Sequence, residues 1–222
     1  MDLTNALIQK DYPRAQSLIK QSDLHYIHRE TGNTALLFAC IAGQNAIALE
    51  IIKSGRALIS HENIKGDTAL TWACYNKMTD VALELIATGQ SNPGAHNNID
   101  GNTALTWACN NIMPDVAIAL IATGQSKPNN ITKLCNTALI VACRKSMPIE
   151  VVTELLLTGE SLPNFCDSSG NNAAYYARKH KYPTTLIDMI NQYIEYRDGN
   201  TDNNTDNNDD NQGGRIIIEF YD

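Results

Sequence analysis

Apolar residues in this chain come in short paired bursts separated by polar turns. In residues 66–89 the first burst is Ala69, Leu70, Trp72, Ala73 and Cys74. Thr68 stands just before it, where a hydroxyl can accept from a free N–H of the first helical turn. Asn76 and Lys77 break the pattern. Val81, Ala82, Leu85 and Ile86 then fall on one face at the spacing of an amphipathic helix. Asp80, like Asp115 further on, sits in a first turn, where the helix dipole favours negative charge. Pro114 and Pro148 suit a first helical position, which needs no N–H. Gly89 ends the second helix, because glycine takes the left-handed cap conformation without a Cβ penalty. Asn92-Pro93-Gly94 and Asp100-Gly101 follow as turn signals. The predicted unit is turn, helix, turn, helix.

That unit recurs. Segments beginning at Gly32, Gly66, Gly101, Cys135 and Gly170 align, with successive starts 34, 35, 34 and 35 residues apart. Gly55, Gly89, Gly124 and Gly159 keep the same beat, as do Pro93, Pro128 and Pro163. Three landmarks sharing one period define a repeat array. A single pair of short helices cannot bury its own apolar face, so neighbouring units must stack to hide it. The expected fold is all-α, a stack of helical hairpins.

The repeated stretch, Asn102-Thr103-Ala104-Leu105-Thr106-Trp107-Ala108-Cys109 in the third unit, resembles the ankyrin repeat, whose hallmark is Gly-x-Thr-Pro-Leu-His-x-Ala-Ala followed by two antiparallel helices. The departures are regular. Alanine replaces the proline at Ala35, Ala69, Ala104, Ala138 and Ala173. The histidine becomes Leu37, Thr71, Thr106, Ile140 and Tyr175, and the second alanine becomes Cys40, Cys74, Cys109 and Cys143. Losing the histidine removes a hydrogen bond that the family uses between neighbouring turns. The resemblance implies an ankyrin-type solenoid of five repeats over 30–196, divided at about 30–63, 64–98, 99–132, 133–167 and 168–196. A degenerate N-terminal capping pair is expected over 1–29 and a disordered acidic tail over 197–222. The wording of the repeats, their extra loop residues and the heavy asparagine usage look like ankyrin proteins of amoeba-infecting giant DNA viruses.

Charge narrows the partner class. From Asp198 onward seven acidic residues face Arg215 alone, which leaves only −1 of the net −7 for the first 197 residues. A near-neutral body has no field to attract phosphates and the tail repels them, so nucleic acid is not an expected partner. No run approaches the roughly 20 apolar residues that cross a membrane. The N-terminus lacks a basic stretch followed by an apolar one, so no secretory signal is expected. These features together predict an intracellular protein, in the cytoplasm of the host cell if viral, with reduced thiols.

Candidate chemistry is sparse. Equivalent cysteines in stacked units inherit the roughly 8–10 Å spacing of packed helices, whereas a disulfide needs Cα atoms within about 7 Å and zinc needs its sulfurs about 2.3 Å from one point. The four recurring cysteines therefore read as small buried hydrophobes. His25 and His28 flank a connector with no third ligand near in sequence, and no nucleophile elbow or phosphate-binding glycine loop occurs. No enzymatic activity, metal or cofactor is expected. Met78, Met113 and Met147 read as gap-fillers. The row Phe38, Trp72, Trp107, Val141 and Tyr176 reads first as core between inner helices, with a binding surface as the alternative.

By resemblance, partners of such proteins dock on the concave side formed by turn tips and first helices. Here that side maps to Lys65, Asp67, Asp100, Asn102, Leu134 and Asn136 at the tips. Tyr75, Asn76, Lys77, Asn110, Asn111, Arg144 and Lys145 end the first helices. The expected function is a monomeric, non-catalytic scaffold for a protein partner. The alternative is an adaptor whose tail residues Ile216, Ile217, Ile218, Phe220 and Tyr221 add as a strand to effector machinery such as a host ubiquitin ligase. The tail is too short and polar for the F-box-like domain found in ankyrin proteins of some other large viruses.

Overall fold

Side-chain caps start the first helix of every repeat. Thr34, Thr68, Thr103 and Thr137 hold extended backbone and accept from the N–H three residues on, and Asn172 does so in the fifth repeat. Thr71 and Thr106, which stand where the family has histidine, accept in return from the backbone N–H of Thr68 and Thr103 at 2.9 and 2.8 Å. Each cap is thereby reciprocal, and two free donors are satisfied at once.

The computed structural model describes residues 3–201, with side chains through residue 195. The expected disorder of the tail beyond residue 201 and the motif at 216–221 lie outside the described residues. The chain divides between Lys127 and Pro128 into two compact units. The first holds α1 (Leu3–Ile8), α2 (Tyr12–Leu18), α3 (Ala35–Ile41), α4 (Asn45–Lys53), α5 (Ala69–Tyr75), α6 (Thr79–Ala87), α7 (Ala104–Asn110) and α8 (Pro114–Ala122). The second holds α9 (Ala138–Arg144), α10 (Ile149–Leu157), α11 (Ala173–Lys179) and α12 (Thr184–Thr201). Among the described residues the only β-structure is an isolated bridge between His96 and Thr103.

Within the first unit each odd-numbered helix packs on the even-numbered helix that follows it, and the hairpins stack. An inner row runs α1, α3, α5, α7 and an outer row α2, α4, α6, α8. The second unit repeats this with α9 against α11 and α10 against α12. The core lies between the rows. Leu36, Leu70 and Leu105 in the first unit and Leu139 in the second are buried at one repeat position, and Met78, Met113 and Met147 are buried at the turn between the two helices. These are the adaptable side chains such an irregular corner needs. Isolated seven-residue helices are marginal in water, so this shared burial sustains them.

Two local differences from expectation have plain causes. Pro148 caps α10 from outside, not at its first position, because its ψ of 147° is extended while its carbonyl accepts from Val151. Helix α12 runs on to Thr201, past the end expected for the repeats at 196. Extending a nucleated helix adds one hydrogen bond per residue fixed, so polar residues can continue it.

The inter-helix turn carries a measurable strain. The first repeat places Gly43 there at φ 66°, but the next three place Lys77, Ile112 and Ser146 at φ 57°, 56° and 55°. A β-branched residue is the least suited to this region. Ile112 is moreover 55% exposed, so its side chain gains little from packing. Ile112→Gly should raise stability by about 1 kcal/mol in a chemical-denaturation midpoint, relief of strain outweighing the added freedom of the unfolded chain.

Candidate functional site

The turn tips of the second and third repeats are built by asparagine. Asn63 Oδ1 accepts the N–H groups of Lys65 and Asp67 at 2.9 and 3.0 Å, and Asn97 Oδ1 accepts those of Ile99 and Asp100 at 2.6 and 2.9 Å. The tips are then tied together. The N–H of Asn98 donates to the Lys65 carbonyl at 2.8 Å, and the Asn97 amide donates to Asp67 Oδ1 at 2.5 Å. On the Asp67 carboxylate the Asn63 amide also approaches Oδ2 at 3.4 Å.

Between these tips and helices α5 and α7 lies a cleft of about 220 Å³. Its wall is aromatic. Tyr75 meets Trp72 edge to face at a centroid distance of 5.1 Å and Trp107 at 4.7 Å. Tyr75 and Ile99 are 46% and 49% exposed, while Asp67 at the base is only 5% exposed. The indole N–H of Trp72 is buried without a hydrogen-bond partner. The row expected as core is therefore core only at Val141 and Tyr176; Phe38, Trp72 and Trp107 are half-buried.

The candidate residues fall into distinct environments. Lys65, Asp67, Tyr75 and Asp100 gather around the cleft. Lys77 and Lys145 are exposed, whereas Asn102 and Asn110 are half-buried. Asn76 and Asn111 point into the stack: the Asn76 amide donates to the carbonyls of Cys40 and Ile41 at 2.8 and 3.1 Å, and the Asn111 amide to those of Cys74 and Tyr75 at 2.9 and 2.8 Å. They bracket the C-terminal carbonyls of the preceding inner helix, where the regular helical donors run out and the carbonyls of Cys40 and Cys74 otherwise receive only the turn N–H groups. Asn97 and Ile99 line the cleft without having been among the sequence-derived candidates, and Trp72 and Trp107 line it as the alternative reading of their row had it. Ile64 and Ile99, in the polar contexts Asn63-Ile64-Lys65 and Asn98-Ile99-Asp100, are apolar residues in tips, the one sequence signal that marks them.

In the second unit Arg144 and Asn136 belong to an internal network. Arg144 Nη1 donates to Asn136 Oδ1 at 2.8 Å and stands 4.0 Å from Asp167 Oδ2, with its guanidinium 5.8 Å from the centroid of the Tyr176 ring. The Tyr176 hydroxyl donates to Asp167 at 2.6 Å. Burial alone would raise the Asp167 pKa, but the Tyr176 hydroxyl, the N–H groups of Asn171 and Ser169 and the Arg144 charge outweigh it and hold the carboxyl below its ordinary 3.8. A lowered folded pKa means the stabilisation is complete above the unfolded value and is lost as pH falls through the folded one. Asp167→Asn should therefore lower the melting temperature at pH 7, and the gap to the unmodified protein should narrow below about pH 4.

The cysteine ladder offers no reactive thiol. Cys40, Cys74, Cys109 and Cys143 are buried. Burial pushes the Cys40 and Cys143 thiols up to about 12 and raises that of Cys74 as well. Among the described residues no group of His, Cys, Asp and Glu is placed to share a metal ion, and no helix is long and apolar enough to cross a membrane.

Comparison with known proteins agrees with this architecture. A chain from the complex of the predatory endopeptidase Bd0816 of Bdellovibrio bacteriovorus with the immunity protein Bd3460 is 25% identical, with a TM-score of 0.62 over 86% of this chain and 96% of that one. An ankyrin repeat domain from Acinetobacter baumannii is also 25% identical, with a TM-score of 0.65 over 86% of this chain and 96% of its own. No curated protein matches in sequence. The family model for ankyrin repeats in three copies matches residues 3–93 and 56–131, together more than half of the chain, and the protein accordingly belongs to the ankyrin repeat family.

Proposed function

We propose that the protein is a non-catalytic scaffold that binds a protein partner through the turn tips and inner helices of its second and third repeats. The observation that carries this reading is the exposure of Tyr75 and Ile99, two large apolar side chains that line one cleft with the half-buried Trp72 and Trp107. Aromatic residues in partly desolvated clefts are the usual energetic centres of protein interfaces. A complex between an immunity protein and an endopeptidase in a chain of the same fold is in keeping with it. The reading takes the chain as a monomer that engages protein and not nucleic acid. The boundaries at 30–196 for the repeats and 1–29 for the cap belong to it too. Lys65 and Asp100 supply charged rim positions around the cleft, Lys77 adds an exposed charge in the turn after α5, and Asn76 and Asn111 give support from within the stack.

The repeated Asn-Thr-Ala-Leu stretches and the asparagine-rich turns support, as part of the same reading, kinship with ankyrin proteins of amoeba-infecting giant viruses and action in the host-cell cytoplasm. With segment 216–221 recruiting effector machinery, the same surface would make the chain an adaptor.

Affinity capture from host extract tests the surface. Tyr75→Ala combined with Ile99→Ser should reduce recovery of the specific partner at least about tenfold, as loss of a central anchor does. Ile118→Ser, on outer helix α8, should leave recovery unchanged. Recovery indifferent to the cleft changes would reject the assignment.

A further inference from the structure

The two units treat one repeat position differently. Aligned by their repeats, Arg144 occupies the place of Tyr75, Asn136 that of Asp67 and Tyr176 that of Trp107. Asp167 corresponds to Asn97 across one extra residue in the third tip, since each donates its N–H to the carbonyl of the residue after the tip glycine, Asn171 and Asn102. In the second unit this place is filled from within: the Arg144 guanidinium bonds Asn136, approaches Asp167 and lies over the Tyr176 ring. In the first unit the acceptors and the rings remain, but the arginine is absent and a cleft of about 220 Å³ stands open. The carboxylate has moved to Asp67. The other four repeats have asparagine at that position (Asn33, Asn102, Asn136 and Asn171), so the turn itself does not require an acid there.

Asp67 is consequently an unbalanced buried charge. It is 5% exposed, its carboxylate accepts from the neutral amides of Asn63 and Asn97, and among the described residues no Lys, Arg or His nitrogen lies within ion-pair distance. Burying an ionised carboxylate without a counter-charge is costly, and its two oxygens have lone pairs to spare beyond two amide bonds. At the rim Lys65 and Asp100 are exposed and of opposite sign, so the net field of the cleft is that of Asp67. Indole and phenol rings beside a carboxylate form a good environment for a planar cation, and guanidinium is preferred to ammonium where stacking and hydrogen bonding combine. The volume is below the roughly 300–1,000 Å³ that takes a drug-sized molecule, which suits a single side chain.

We propose that the cleft between the second and third repeats receives an arginine side chain of the protein partner, placed as Arg144 is placed in the second unit. The inference rests on the reading of this face as a partner-binding surface and names the chemistry of its central contact.

The test uses the full chain and a small probe, N-acetyl-arginine methylamide. The chain has two tryptophans, Trp72 and Trp107, so two indole N–H signals report directly on the cleft. Saturable shifts of both are expected with the arginine probe, and none with the neutral isostere N-acetyl-citrulline methylamide. Asp67→Asn keeps the residue found in the other repeats and should weaken arginine binding about tenfold, the loss of a hydrogen bond to a charged acceptor. Tyr75→Arg should fill the cleft from within and abolish it. Equal shifts with the citrulline probe, no saturation with the arginine probe, binding unaffected by Asp67→Asn, or tighter binding of N-acetyl-lysine methylamide would each overturn the assignment. Partner capture that depends on Tyr75 without any arginine binding removes this inference alone. Arginine binding with capture indifferent to Tyr75 removes the functional reading instead.

Discussion

Gly66→Ala should lower stability by about 2–3 kcal/mol, a large effect for one methyl group. Gly66 has φ 76°, and an added Cβ would come within 2.8 Å of the His96 carbonyl oxygen, which belongs to the next turn. Two penalties coincide: a left-handed backbone that alanine adopts poorly, and a backbone atom that cannot rotate away. The clash sits where Asn98 bonds Lys65, so the variant should also loosen the tip that floors the cleft. Gly170→Ala is the informative contrast. It shares the positive φ of 78° but meets nothing within 4 Å, and its cost should stay near 1 kcal/mol. Urea midpoints of the two variants give the comparison.

Asn111→Ala should cost about 2 kcal/mol, although the residue has the composition and place of a surface polar group. Its amide donates to two carbonyls at the end of α5, and alanine would leave both without that donor. Asn111→Asp should be worse at neutral pH, because a carboxylate offers the same carbonyls no donor and adds a like partial charge. A ranking in which aspartate is tolerated as well as asparagine would show that these bonds contribute little. Thermal melts of the three proteins at pH 7 decide it.

The fold was readable because its determinants are local and repeated. Thr68 and Thr103 cap, Leu70 and Leu105 fill, and the spacing fixes which helices meet. Each determinant is visible in one short window and confirmed by its recurrence. The site was read only in part. Lys65, Tyr75 and Asp100 were identified by their place in the repeat, but Asn76 and Asn111 have the same signature as an exposed variable residue. Only the crossing of one repeat over the next shows that their amides reach backbone carbonyls some 35 residues back. Trp72 and Trp107 were ambiguous for the reverse reason. A large aromatic at a repeating inner position reads as core, and the repeat pattern does not say whether its outer edge is covered. The distinctive charge of Asp67 is legible only once its surroundings are known, since in sequence it is one acid in a polar turn.

The central claim is that the face holding Tyr75 touches the partner. Replacing Tyr75 with a photoreactive phenylalanine analogue, and Ile118 likewise in a separate protein, allows direct contact to be read as a covalent product after irradiation with the captured partner. The account predicts a cross-linked product from position 75 and none from position 118. A product from position 118 alone would contradict it.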